Sequence, residues 1–142
     1  MPMRRWIALA VLAAVCAVCA LSPNEGYTED VETVRLARAI YALARDEEYD
    51  AKLAIGTLVM NRVASPWFGD TLGEVLDEQH QFPMGRRYDV ESLSAAHAVL
   101  AGRRNLDVHA LYYQSTAATE RRTDAPVQTV GLFSFYAVEA PV

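Results

Sequence analysis

Between Leu36 and Phe68 the chain reads LARAIYALARDEEYDAKLAIGTLVMNRVASPWF, two helical patterns joined by a short acidic turn, and this stretch constrains the fold more than any other. With a 3.6-residue period, Val34, Ala37, Ile40, Tyr41 and Ala44 share one stripe, which Leu36 and Leu43 widen on one side. The spacing predicts a mostly buried first helix from about Thr28, its N-cap, to Arg45, with Glu29, Asp30 and Glu32 where the exposed first-turn amides favour negative charge. A second helix opens at Asp50 as N-cap and carries Leu53, Ala54, Leu58, Met60 and Val63 until Ser65-Pro66 stops it. Helices joined by so short a turn are neighbours, so Arg45, Asp46, Glu47 and Glu48 occupy the corner between them.

Upstream, Arg4 and Arg5 precede a 15-residue apolar run from Ile7 to Leu21, shorter than the roughly 20 residues of a membrane span. The pattern predicts a signal peptide over 1–20, cut near Ala20, and hence an exported protein of the cell wall or extracellular space. An uncleaved N-terminal anchor is the alternative and the only route to a membrane. Residues 21–27, with Pro23, Asn24 and Gly26, read as a linker, leaving one domain over 28–142. Cys16 and Cys19 both lie in the signal, so cleavage leaves neither disulfide nor cysteine-metal framework. The remainder carries 11 basic against 18 acidic side chains, formally −7, which argues against nucleic acid as a partner. The pairs Arg86-Arg87, Arg103-Arg104 and Arg121-Arg122 read as solvated surface.

After the second helix, Trp67 and Phe68 are expected as lids on the core, and Thr71-Leu72-Gly73-Glu74 has the spacing of a capping box that opens a short third helix. Asp77 to Tyr88 has no period and holds dense polar side chains around Phe82; irregular segments of that length are either binding loops or disordered, which makes it the second candidate for a functional edge. Asp89 caps a fourth helix whose predicted apolar face is Val90, Leu93, Ala96, His97 and Leu100, closed by Gly102. His109 to Gln114, Val127 to Val130 and Leu132 to Val138 are aromatic and β-branched strands, the last two joined at Gly131 as a hairpin. Helices followed by a small antiparallel sheet make an α+β fold.

No nucleotide-binding glycine loop, serine elbow or zincin motif is present. His80, His97 and His109 fall on a loop, a helix and a strand start, and imply no metal site. What remains is carboxylate chemistry at the corner. With a slight extension of the first helix, Glu47 lies one turn beyond Leu43 near the apolar stripe, where partial burial suits a carboxyl to general-acid work, while Glu48 points away. The plain alternative is a solvated acidic turn capping the second helix.

The order of residues resembles the SleB-type cell wall hydrolases, whose characterised members cut peptidoglycan. The resemblance rests on Ala37, Ile40, Tyr41, Ala44, Arg45, Glu47 and Tyr49, then Ala54, Ile55, Asn61-Arg62-Val63, Ser65-Pro66 and Phe68. It continues through Gln81-Phe82, Ala95, Ala96, Leu100, Gly102, Ala110-Leu111-Tyr112-Tyr113, Gln128-Thr129-Val130-Gly131 and Phe133. It implies a lysozyme- or lytic-transglycosylase-like helical domain with a small antiparallel sheet toward the C-terminal end, peptidoglycan glycan strands as partner, and no cofactor. In that family one glutamate protonates the glycosidic oxygen between N-acetylmuramic acid and N-acetylglucosamine, and the muramic 6-hydroxyl attacks. Here the matched position is Leu43, which carries no proton to give, and Asp46 replaces the family's glycine. The resemblance therefore implies a domain that cleaves or formerly cleaved glycan strands, or a catalytically inactive peptidoglycan-binding module of the same fold. A secreted helical protein with a protein partner is the third reading. Glu47 is the candidate catalytic acid, about 6 Å along the axis from Leu43 by helical rise, and Arg45, Asn61, Arg62, Gln81 and Tyr113 are candidate substrate-binding groups. Each has a structural rival: Asn61 as a helix cap, Arg62 as partner of a corner acid, Tyr113 as packing.

Overall fold

In a computed structural model of the chain, the structure describes residues 29–140, so the proposed signal, the linker and Thr28 lie outside it. Four helices, α1 (Val31–Ala44), α2 (Tyr49–Val63), α3 (Leu72–Asp77) and α4 (Val90–Leu100), precede strands β1 (Tyr112–Ser115), β2 (Gln128–Val130) and β3 (Phe133–Tyr136). The strands form one antiparallel sheet in the order β1-β3-β2, with Tyr113 opposite Phe135 and Val130 opposite Phe133. This is the expected α+β layout.

Helix α1 begins later than its charge pattern predicts. Asp30 stands at its N-cap without a side-chain cap bond, and Ala44 is its last residue. Helix α2 has Glu48 at its N-cap in extended conformation, which moves Asp50 from the cap into the first turn. The short α3 has the capping box in full: Thr71 Oγ1 accepts from Glu74 N, and Glu74 Oε2 accepts from Thr71 N.

Helix α4 corrects the predicted face. Val90 is 83% exposed, Leu100 is exposed and His97 half-buried, whereas Ser92, Ala95, Ala96 and Val99 are buried. Small residues win this face because α4 lies close against α1 and α2. A Cβ on Gly56 of α2 would come within 2.9 Å of Val99 Cγ2 and 3.3 Å of Ile40 Cδ1, so glycine there permits the close approach. The end of α4 is a Schellman closure, with Gly102 at φ 102°, Gly102 N bonded to Val99 O and Arg103 N bonded to Ala98 O. Lys52, buried in α2, points its ammonium at Glu91 in the first turn of α4 and at the N-cap Asp89, offsetting much of the cost of removing a charge from water.

The core runs continuously through Leu36 and Ile40 of α1, Leu53, Ile55 and Leu58 of α2, Val75 and Leu76 of α3, Val99 of α4, and Phe133 and Phe135 of β3. Leu43 is half-buried and packs on its edge. The β2–β3 turn is Gly131-Leu132 with φ positive at Gly131 alone, the sign pattern of a II′ hairpin, which follows the strand twist. Strand β1 starts only at Tyr112. The segment before it is held as a turn, in which His109 N bonds to Asp107 Oδ1 and Ala110 N to Asp107 O.

Candidate functional site: a cleft around a buried arginine

Arg62 stands in the last turn of α2 and is 1% exposed, yet no carboxylate pairs with it among the described residues. The expected corner acid is not its partner. Instead Nε donates to Leu111 O at 2.7 Å and Nη1 to Gln81 Oε1 at 3.0 Å, and the rings of Phe68, Phe82 and Tyr112 surround the guanidinium at 4.7, 5.0 and 5.7 Å. Burial pulls its pKa below the usual guanidinium value, opposed by the fields of Glu78, Tyr113 and Tyr112. Faces of aromatic rings and two carbonyl-type oxygens stabilise a cation without neutralising it. A positive centre is thereby held next to an opening.

Gln81 is the hub of the loop that the sequence singled out. Its side chain takes the Arg62 bond, while its backbone carbonyl accepts from Tyr113 Oη at 3.1 Å. Tyr113 also stacks on the buried Phe82 at 6.1 Å, so its packing and polar readings both hold, and burial raises its phenol pKa against the opposing field of Arg62. His80, just before Gln81, has φ 62°, the left-handed region that non-glycine residues seldom adopt. Arg62, Gln81 and Tyr113, with His80, Tyr112, Gln114, Arg122 and Glu139, line a cleft of about 240 Å³. Three of the sequence-derived candidates thus meet in one place.

The others do not join it through any contact. Asn61 faces away from the cleft and braces the β1 approach, donating through Nδ2 to Asp107 O and Ala110 O at 2.9 and 3.1 Å rather than capping its own helix. Arg45 is exposed, pairs with its neighbour Asp46 at 3.2 Å, and borders a depression with Tyr41, Arg86 and Arg87. Glu47 does not continue α1, which ends at Ala44; it sits half-buried in the turn before α2. There its Oε2 lies 3.4 Å from Leu132 N, against the hairpin turn, and a Cβ on Gly131 would approach the same oxygen to 2.8 Å. Glu47 links the helix corner to the sheet.

Sequence reasoning missed Arg122, which it placed on solvated surface. Its side chain is 5% exposed and lies 3.9 Å from the Tyr136 ring, with Nε donating to Asp124 Oδ1 at 2.8 Å and Nη2 to Val138 O at 2.8 Å. These bonds raise its pKa and hold Asp124 below the usual carboxylate range. The loop also returns to β1, since Arg122 N bonds to Gln114 Oε1 and Gln114 Nε2 to Glu120 O. An arginine before Thr-Asp gives no local signal of this. Trp67 is a second correction: it is 81% exposed and no lid, while Phe68 alone turns inward.

The chain matches the sequence model of the Cell Wall Hydrolase family over residues 46–136, which span the helix corner, the cleft and the closing hairpin. It belongs to this SleB-type cell wall hydrolase family. The match begins after Leu43 and includes Glu47. A curated relative, the spore cortex-lytic enzyme of Bacillus subtilis (strain 168), is 33% identical over 102 residues, covering 68% of this chain. The chain spans about a third of that relative's length, 33%. Among solved structures, the catalytic domain of the Bacillus cereus SleB protein is 22% identical with a TM-score of 0.66, covering 78% of this chain and 93% of that one. The catalytic domain of the germination-specific lytic transglycosylase SleB from Bacillus anthracis is 24% identical with a TM-score of 0.68, covering 80% and 98%. Both share the SleB catalytic-domain fold, and with it the expected lysozyme-like class.

Among the described residues no group of histidine, cysteine or carboxylate side chains is arranged to hold a metal ion, and no helix is long and apolar enough to cross a membrane.

Proposed function

We propose that this chain is an exported, peptidoglycan-directed domain that holds glycan strands through the Arg62–Gln81–Tyr113 cleft and has little or no cleavage activity of its own. The supporting observation for binding is the cleft itself, in which a buried guanidinium, an amide and a phenol are fixed by hydrogen bonds before any ligand arrives. Gln81 and Tyr113 are only partly buried, and side chains already held in place lose little conformational freedom when a sugar's hydroxyl and acetamido groups meet them; Arg62, 1% exposed, serves as the brace behind them. Family membership supplies the ligand class, and the apolar N-terminal run supplies export.

The supporting observation against turnover is Leu43. It lies in the last turn of α1, packed on the core edge, where the resemblance places the proton donor. Glu47 is no simple replacement, because it belongs to the turn and faces the hairpin amide. A reacting group misplaced by even 1 Å can cost about a hundredfold.

The test incubates the chain and its Leu43→Glu variant with purified peptidoglycan, measuring pelleted protein and released anhydromuramic fragments by mass analysis. The expected outcome is that both pellet and that a folded Leu43→Glu gains at least about a hundredfold in cleavage, since a positioned general acid is worth about 10²- to 10⁴-fold. If the unaltered chain already cleaves and Glu47→Gln abolishes it, Glu47 is the donor and the binding-module reading is wrong. A second arm fuses residues 1–27 to a reporter; retention in the cytoplasm refutes export.

A further inference from the structure

Beside the Asn61 bonds, outside the Arg62 cleft, lies a depression of about 450 Å³ bordered by Trp67, Met60, Val108, Leu111, Ser65 and His109. Trp67 is its dominant feature, with 81% of its surface in water, and Val108 beside it is 71% exposed. The local chain explains why so large an apolar group stays outside. Pro66 fixes its own backbone, Trp67 N donates to Ser65 Oγ at 3.3 Å, and Phe68 is drawn inward onto Arg62. Neighbours pinned on both sides leave Trp67 facing out. The floor is equally fixed, because Asn61 ties the Asp107–Ala110 turn to α2.

A flat ring standing in water beside hydrogen-bonding groups suits one ligand class well. A pyranose presents C–H bonds on its face and hydroxyl or acetamido groups at its edge. The indole of Trp67 matches the face, while the polar residues Ser65, His109 and Arg104 border the same space. No carboxylate lines it. The site also adjoins the cleft along the chain. Asn61 and Leu111 border the depression, their chain neighbours Arg62 and Tyr112 line the cleft, and Phe68 packs on Tyr112 at 5.7 Å. These two segments form a common wall, and with Phe68 seated on Tyr112 the adjacent Trp67 is a near neighbour of the cleft.

We infer that Trp67 is the stacking platform of a second sugar subsite, which engages an N-acetylated pyranose of the same glycan strand outside the Arg62 cleft. This rests on the peptidoglycan reading above and extends it to a surface that the reading does not use.

Trp6 and Trp67 are the only tryptophans, so a full chain carrying Trp6→Phe reports on Trp67 alone. Soluble peptidoglycan glycan fragments are expected to shift its emission to the blue and to reduce acrylamide quenching at least about twofold. Trp67→Ala is expected to weaken pelleting with insoluble peptidoglycan about three- to tenfold, and Trp67→Tyr, which keeps a ring, less than about twofold, as the worth of one aromatic contact implies. Pelleting of the unaltered chain with an unchanged Trp67 spectrum overturns this inference and leaves the cleft reading standing. No pelleting at all overturns both. A blue shift that follows protein concentration without glycan shows that the platform's occupant is a second copy of the chain, and also overturns it.

Discussion

Replacing Arg62 with lysine keeps the charge and removes the fork, and its cost can be built from the contacts. The guanidinium serves two acceptors at once, Leu111 O at 2.7 Å and Gln81 Oε1 at 3.0 Å, which lie in different segments of the chain. A shorter ammonium reaches one of them at best. Losing one charge-assisted hydrogen bond costs about 1.5–3 kcal/mol, and exchanging a flat cation among three rings for a compact one adds about 0.5–1 kcal/mol. Arg62→Lys is therefore expected to destabilise the domain by roughly 2–4 kcal/mol, a large part of the 5–15 kcal/mol that holds a typical domain. With a urea slope of about 2 kcal/mol per molar, the middle of the usual range, the midpoint falls by about 1–2 M at unchanged slope. Gln81→Ala and the double variant complete a cycle in which the Arg62–Gln81 bond should show coupling of about 1 kcal/mol. A midpoint shift under about 0.5 M, or strict additivity, refutes the view that Arg62 ties α2 to the loop and β1.

Two further outcomes are expected from single substitutions. Gly131→Ala places a Cβ at a φ of 56° and within 2.8 Å of Glu47 Oε2 and 3.2 Å of Ala51 Cβ, so it should cost about 1–3 kcal/mol in urea unfolding; a neutral result shows that the corner and hairpin are not in fixed contact. Asp124 is held below the usual carboxylate range chiefly by the Arg122 hydrogen bond. Because its folded pKa is the lower one, the unfolded chain takes up the proton first as pH falls. Its contribution is thus full above the unfolded value of about 3.9 and lost as pH drops through the folded one. Asp124→Asn should be less stable than the parent at pH 7 and equal to it in strong acid; a gap that is constant with pH refutes this assignment.

Legibility in the sequence followed the range of the interactions. The corner between α1 and α2, the Thr71–Glu74 capping box, the Asp89 cap, the Gly102 closure and the Gly131 hairpin are set by contacts within a few residues, and each stands where its local pattern puts it. The α+β class and the family also follow from the order of residues, whereas of the five candidate binding groups Arg62, Gln81 and Tyr113 line one cleft and Arg45 and Asn61 do not. Residue type and spacing leave undetermined which way a side chain is turned when its partner lies far along the chain. Asn61 meets a turn 46 to 49 residues away, Arg122 closes on the segment after β3, and Glu47 reaches a hairpin 85 residues on. On α4, Ser92 and Ala96 are buried while Val90 is not, because α1 and α2 leave room only for small groups at that crossing. Trp67 faces water for a related reason: its hydrophobicity favours burial, but Ser65, Pro66 and Phe68 have already fixed the backbone that carries it. Local energies chose the elements, and the packing of distant elements chose which side chains they turn to solvent, to each other and to the cleft.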